Sequence, residues 1–184
     1  DLHDGNTLYK NNGDSTFSDV SIASGAYQEL DAMGLAVGDF DGDLDLDIHI
    51  TDRVVDSKLL RNNNDGTFTE VGTSMGVDFV NGFGWGNNFF DADQDGDEDL
   101  YVTTEYEPIN NLLPSALFIN NGSAPFSSFS FPGDSLFAFC NTIGDFNKDR
   151  LTDIAVLCSW NTQSIIWENN TQISNSSLSL RFEG

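Results

Sequence analysis

The sequence predicts an all-β chain of β-propeller-type blades, each of four antiparallel strands, and three observations predict it. A nine-residue Asp-rich window recurs three times, a strand–Asn-Asn–Gly–strand signature recurs out of phase with it, and no stretch of useful length has helical periodicity. The windows open at Asp39, Asp91 and Asp145, 52 and 54 residues apart. Four-stranded units at that period are blades or a related array, in which each unit buries its face against its neighbours.

The elements follow in order. Leu8-Tyr9-Lys10-Asn11-Asn12 runs through Gly13-Asp14 to Thr16-Phe17, the composition of a tight hairpin, and forms a half-blade over residues 1–30. The first full blade, about 31–80, has an apolar approach at Gly34-Leu35-Ala36-Val37 and a second strand at Ile48 to Thr51, after the Asp-rich window. Its third strand is Lys58 to Arg61 and its fourth Thr67 to Val71, joined through Asn62-Asn63-Asn64-Asp65-Gly66. The second blade, about 81–133, repeats the signature at Leu117-Phe118-Ile119-Asn120-Asn121, and the third, about 134–184, carries a worn copy at Ile166-Trp167-Glu168-Asn169-Asn170. Three and a half blades result, read as one domain.

The 184 residues carry 30 Asp+Glu against 7 Lys+Arg, a formal net charge of -23, which excludes nucleic acid and anionic membranes as partners. No apolar run approaches the ~20 residues of a membrane span. With 12% aromatics, including 15 Phe, the acid belongs to something that folds and not to a disordered tail. The chain begins at Asp1 without Met or signal peptide and is read as a mature or partial chain of a longer protein.

Thirteen of the 23 Asp lie in the three windows. A solvated acidic face would mix Asp and Glu in loose spacing. Here Glu is nearly absent, and oxygen side chains stand at positions 1, 3, 5 and 9: Asp39, Asp41, Asp43, Asp47; Asp91, Asp93, Asp95, Asp99; Asp145, Asn147, Asp149, Asp153. Four such side chains, a backbone carbonyl near position 7 and a water make an all-oxygen cage suited to Ca²⁺, at three sites. The absence of His and Cys from these positions argues against zinc and copper. An EF-hand needs Glu at position 12 and flanking helices; here position 12 is Ile50, Val102 and Val156, within β-branched strands, so the loops close β-hairpins.

Gly38-Asp39-Phe40-Asp41-Gly42-Asp43 and the Phe89 to Val102 stretch resemble FG-GAP/VCBS-type repeats, the calcium-loop blades of integrin alpha-subunit propellers. The Leu8 to Phe17 segment and Gly84 to Asp91 look closer to cartilage acidic protein-like repeats. The resemblance covers nearly the whole chain. It implies a calcium-stabilised β-propeller in a secreted or surface protein, used for adhesion or scaffolding, with the twelve named positions as ligands. The chain departs from the pattern in three ways. Leu44 and Arg150 replace the glycine at position 6, at roughly 1 kcal/mol each if the left-handed conformation is kept. Asn147 replaces a carboxylate, which makes the third loop the weaker site. The blade count is also low for a closed propeller.

A hairpin symmetric about Asp149 places Cys140 opposite Cys158, within disulfide range, which would imply an oxidising compartment; the rival reading is two buried thiols. The sequons at Asn121, Asn169 and Asn175 are candidate glycan acceptors, the first two read as equivalent hairpin tips. His49, in a strand, reads as a packing or surface residue, and Trp85, Trp160 and Trp167 as fillers between blades. No nucleophile motif appears. The expectation is a non-enzymatic, extracellular calcium-binding module that stabilises its repeat loops with the ion. Its partner is another surface or matrix protein, glycans, or further copies of itself in a fibre. The rival is a carbohydrate-binding or polysaccharide-lyase propeller; lyase chemistry needs a base near the metal, and only Lys148 and Arg150 lie within a loop.

Overall fold

The computed structural model describes residues 5–53, 56–78, 83–105, 114–131, 137–158 and 163–172. These form thirteen strands in antiparallel sheets of two to four strands, and one helical turn. A hairpin pairs β1 (Tyr9–Asn11) with β2 (Phe17–Asp19). The first sheet runs in chain order through β3 (Ala32–Gly38), β4 (Asp47–Asp52), β5 (Lys58–Asn62) and β6 (Phe68–Glu70). The turn α1 (Gly72–Met75) ends on Gly76 in the left-handed region. The second sheet repeats the meander with β7 (Gly84–Phe90), β8 (Asp99–Thr104), β9 (Ala116–Ile119) and β10 (Ser127–Ser130). The third contains β11 (Ala138–Gly144), β12 (Asp153–Cys158) and β13 (Ile165–Trp167). Among the described residues the sheets form an open series, and no helix is long and apolar enough to cross a membrane.

The first strands β3, β7 and β11 pack on one another in turn, which stacks the sheets. The core therefore lies between sheets. Ala36, Leu59, Phe89, Leu100, Val102 and Phe118 fill the space between the first and second. Phe90, Tyr101, Ala138, Ile154 and Val156 fill that between the second and third. Ala26 and Leu30 cover Ile50 and Leu60 on the near face of the first sheet. The stacking is close because the facing row of β3 is small. A Cβ at Gly34 would collide with the Trp85 carbonyl, and one at Gly86 would lie 2.8 Å from the Cys140 Cα. The two tryptophans within the described residues bridge the second and third sheets: Trp85 meets Phe139 edge-on at 4.7 Å, and Trp167 stacks on Phe131 at 4.8 Å. Trp160 lies outside the described residues.

The register corrects the expected cysteine pairing. Gly144 pairs with Asp153, so the turn spans an even number of residues and Cys140 falls opposite Leu157. A bulge then sets Cys158 opposite Ala138. Cys140 and Leu157 share an exposed face, whereas Cys158 packs against the core on the other side. No disulfide joins Cys140 and Cys158 in this structure.

Candidate metal centre

Each acidic window forms the turn between the first two strands of a sheet, and the three turns have one geometry. The first Asp closes it with both oxygens. Asp39 accepts the amides of Asp43 and Leu44, at 3.1 and 3.0 Å. Asp91 accepts those of Asp95 and Gly96, and Asp145 those of Asp149 and Arg150. The chain can turn this tightly because position 6 is left-handed, at φ 71° for Leu44, 103° for Gly96 and 77° for Arg150. The conformation is thus kept where glycine is absent. Position 4 is left-handed too, at Gly42, Gln94 and Lys148. Of the three, only Gly42 is of a type that favours this conformation.

The position-9 residues Asp47, Asp99 and Asp153 are fully buried. Each braces its loop at two points. Asp47 accepts the Phe40 amide at 3.2 Å and the Asn62 amide at 2.8 Å. Asp99 accepts those of Ala92 and Asn120, both at 2.7 Å, and Asp153 those of Phe146 and Asn169, both at 2.9 Å. Burial pushes Asp47 and Asp99 up to about 6, against the pull of those same amides. Asp41 and Asp93 also rise, first through burial and then through the neighbouring carboxylates of Asp43 and Asp95.

Carboxylates converge in two loops. Oxygens of Asp39, Asp41 and Asp43 lie within 4.8 Å of one another, as do those of Asp91, Asp93 and Asp99. Asp47 and Asp95 stand in the same loops but outside these groups. In the third loop the Asn147 amide donates to Asp149 at 2.9 Å, and no such group forms among the described residues. The first loop holds an acid that spacing did not single out. Both oxygens of Asp45, at position 7, are shut off from solvent and have no hydrogen-bond donor among the described residues. Burial and then the charges of Asp43, Asp41 and Asp39 raise its pKa. An enclosed carboxylate beside three others fits a hard cation with oxygen ligands.

The Asn-Asn signatures proved to be more than turn formers. Asn120 donates its side-chain amide to the Phe40 carbonyl of the preceding sheet's loop at 2.7 Å and to Glu98 at 3.2 Å. Asn169 does the same to Ala92, at 2.7 Å, and to Thr152. Asn169 is therefore the counterpart of Asn120, not of Asn121, which corrects the equivalence read from the sequons. Its amide nitrogen is occupied and it is half-buried, whereas Asn121 is exposed; Asn175 lies outside the described residues. His49 is completely buried, its Nδ1 2.7 Å from the Asn87 amide, and burial lowers its pKa to about 4.

The arrangement defines a repeat protein in which acidic-loop hairpins open successive antiparallel sheets. Residues 1–50, which contain the β1–β2 hairpin, β3 and the whole first loop, match the family model of the FG-GAP-like repeat. The match supports an FG-GAP/VCBS-type repeat protein. No curated protein matches the chain.

Proposed function

We propose that the chain is a non-enzymatic, extracellular calcium-binding module of β-propeller type, with a structural or adhesive role. Its three loops hold Ca²⁺ through Asp39, Asp41, Asp43 and Asp47, through Asp91, Asp93, Asp95 and Asp99, and through Asp145, Asn147, Asp149 and Asp153. The observation that carries the reading is the enclosed Asp45 carboxylate, without a donor, beside the converged Asp39, Asp41 and Asp43. Calcium, when bound, supplies the positive charge that this crowding of carboxylates calls for. The loops already hold the ligands in place through backbone amides, so little ordering is left for binding to impose. The partners are another surface or matrix protein, or further copies of the chain. The packing of Trp85 and Trp167 against Phe139 and Phe131 supports a filling role for these rings.

Thermal unfolding tests this. Binding to the native state alone adds about 2.7 kcal/mol per site at a hundredfold excess over Kd. The melting temperature should fall sharply from millimolar calcium to EDTA. An identical melt in both sinks the proposal.

A further inference from the structure

Glu98 is the one glutamate in the three acidic windows, and it belongs to neither group of converged carboxylates. It stands at position 8 of the second loop, where the first and third loops have Leu46 and Thr152. Its side chain reaches out of its own loop. Oε2 accepts the Asp39 amide at 2.9 Å, across 59 residues and from the second sheet to the first. The approach is open because residue 38 is glycine; a Cβ there would collide with Oε2. The Glu98 carbonyl accepts from the Asn120 side chain at 3.2 Å, and the same amide group donates to the Phe40 carbonyl at 2.7 Å. Phe40 follows Asp39 in the chain, so a closed ring of bonds ties the start of the first loop to the end of the second.

We infer that Glu98 is a positioning residue for the calcium ion of the first loop, not of the loop in which it lies. The inference rests on the calcium reading proposed above. Asp39 is the first ligand of its loop, and its two oxygens close the turn on the Asp43 and Leu44 amides. The ladder between β3 and β4 ends at the Gly38–Asp47 pair, so the Asp39 amide lies one residue beyond it. Glu98 supplies the acceptor that the ladder does not. A bond to a carboxylate is stronger than one to a carbonyl, and this one holds the backbone from which the Asp39 side chain projects. The second loop closes without Glu98: Asp91 accepts the Asp95 and Gly96 amides, and Asp99 those of Ala92 and Asn120. The charge of Glu98 lies between the loops and attracts an ion in either; its hydrogen bond acts on the first alone.

Two variants separate the bond from the charge. Glu98→Gln keeps an acceptor oxygen at the Asp39 amide and loses the charge; Glu98→Ala loses both. Calcium is titrated into the isotope-labelled full chain, with the Asp43 and Leu44 amide signals reporting the first loop and those of Asp95 and Gly96 the second. The first-loop Kd should be about tenfold higher in Glu98→Ala than in Glu98→Gln. The second-loop Kd should agree between the two variants within about twofold. In EDTA, exchange of the Asp39 amide should be faster in Glu98→Ala than in Glu98→Gln, a readout that needs no ion. Should Glu98→Ala fail to fold, Glu98→Asp replaces it: the charge is kept, the side chain is one methylene too short, and the first loop alone should weaken. A parent chain that takes up no calcium in either loop sinks the calcium reading and this inference with it. A parent that binds in both loops, with equal first-loop Kd in Glu98→Ala and Glu98→Gln, overturns the inference alone. So does a variant that weakens the second loop as much as the first, apart from the shared loss of charge in Glu98→Gln.

Discussion

The Asn120 side-chain amide donates to the Phe40 carbonyl at 2.7 Å, across 80 residues of chain and from one sheet to the next. The Phe40 amide in turn donates to Asp47, and the Asn120 amide to Asp99. The Ala92 carbonyl and Asn169 continue the pattern to Asp153. One hydrogen-bonded path thus runs through all three loops, so the loops hold the sheets in register as well as turning the chain. Asn120 is buried at 3% exposure, and Asn120→Ala leaves the Phe40 carbonyl without its donor. The expected cost is about 1–3 kcal/mol. Asn62→Ala, which removes a bond to the Leu46 carbonyl and one from the Asn64 amide, both near solvent, should cost less than about 1 kcal/mol. Urea unfolding of both variants in calcium checks the difference, and equal losses would mean the path contributes nothing beyond its local turns.

The loops should rank in affinity. The second has Asp at positions 1, 3, 5 and 9 and Gly96 at the left-handed position 6, so it should bind calcium most tightly. The third has Asn147 in place of a carboxylate and its amide is bonded to Asp149, so it should bind most weakly. Asp93→Ala should then lower stability in calcium more than Asn147→Ala. Calorimetric titration of the two variants against the parent chain measures this; a third loop that proved tightest would contradict the ranking.

Leu44 tests the cost of the loop conformation separately from metal binding. It is left-handed at φ 71° and 92% exposed, so its side chain has strain and almost no packing. Leu44→Gly relieves the clash of Cβ with its own carbonyl, worth roughly 1–2 kcal/mol, and gives back up to about 1 kcal/mol through the freer unfolded chain. A net gain of about 0.5–1 kcal/mol is expected in denaturant titrations, with and without calcium. A loss would show that Leu44 makes a contact that stabilises the loop.

Much of this was legible because it is local. The strands of the first sheet follow from Gly34 to Val37, Ile48 to Thr51 and Lys58 to Arg61, whose short apolar runs are bounded by Asp, Gly and Asn turns. The left-handed Leu44 and Arg150 follow from the resemblance, which puts glycine at their loop position. What escaped depends on distant partners or on a single step of register. The Cys140 and Cys158 spacing is symmetric on paper, but the Gly144–Asp153 pairing moves one strand a residue along and puts the two side chains on opposite faces. Asn120 and Asn169 looked like turn formers because their acceptors, Phe40 and Ala92, lie 80 and 77 residues away. Asp47, Asp99 and Asp153 fitted a ligand pattern, which did not disclose that their oxygens also bind two backbone amides each.

The pH dependence of stability should reverse with calcium. Without the ion, Asp47 and Asp99 have folded pKa values of about 6 against roughly 3.9 in an unfolded chain. Between these values the native state binds more protons than the unfolded one, so stability rises as pH falls from about 7 towards 4.5. Asp41, Asp45 and Asp93, also raised, act in the same direction. His49 opposes them. Its folded value of about 4, against roughly 6.5 unfolded, means that stability is lost as the unfolded chain takes up a proton that the buried ring refuses. Two strongly raised carboxylates and three weaker ones against one histidine give a net rise in the metal-free protein. With calcium bound, the carboxylates must stay ionised to act as ligands, protons compete with the ion, and stability falls over the same interval. Melting temperatures at pH 7 and 4.5, in EDTA and in millimolar calcium, should therefore move in opposite directions; a parallel fall in both would show that His49 outweighs the carboxylates or that the loops do not bind the ion.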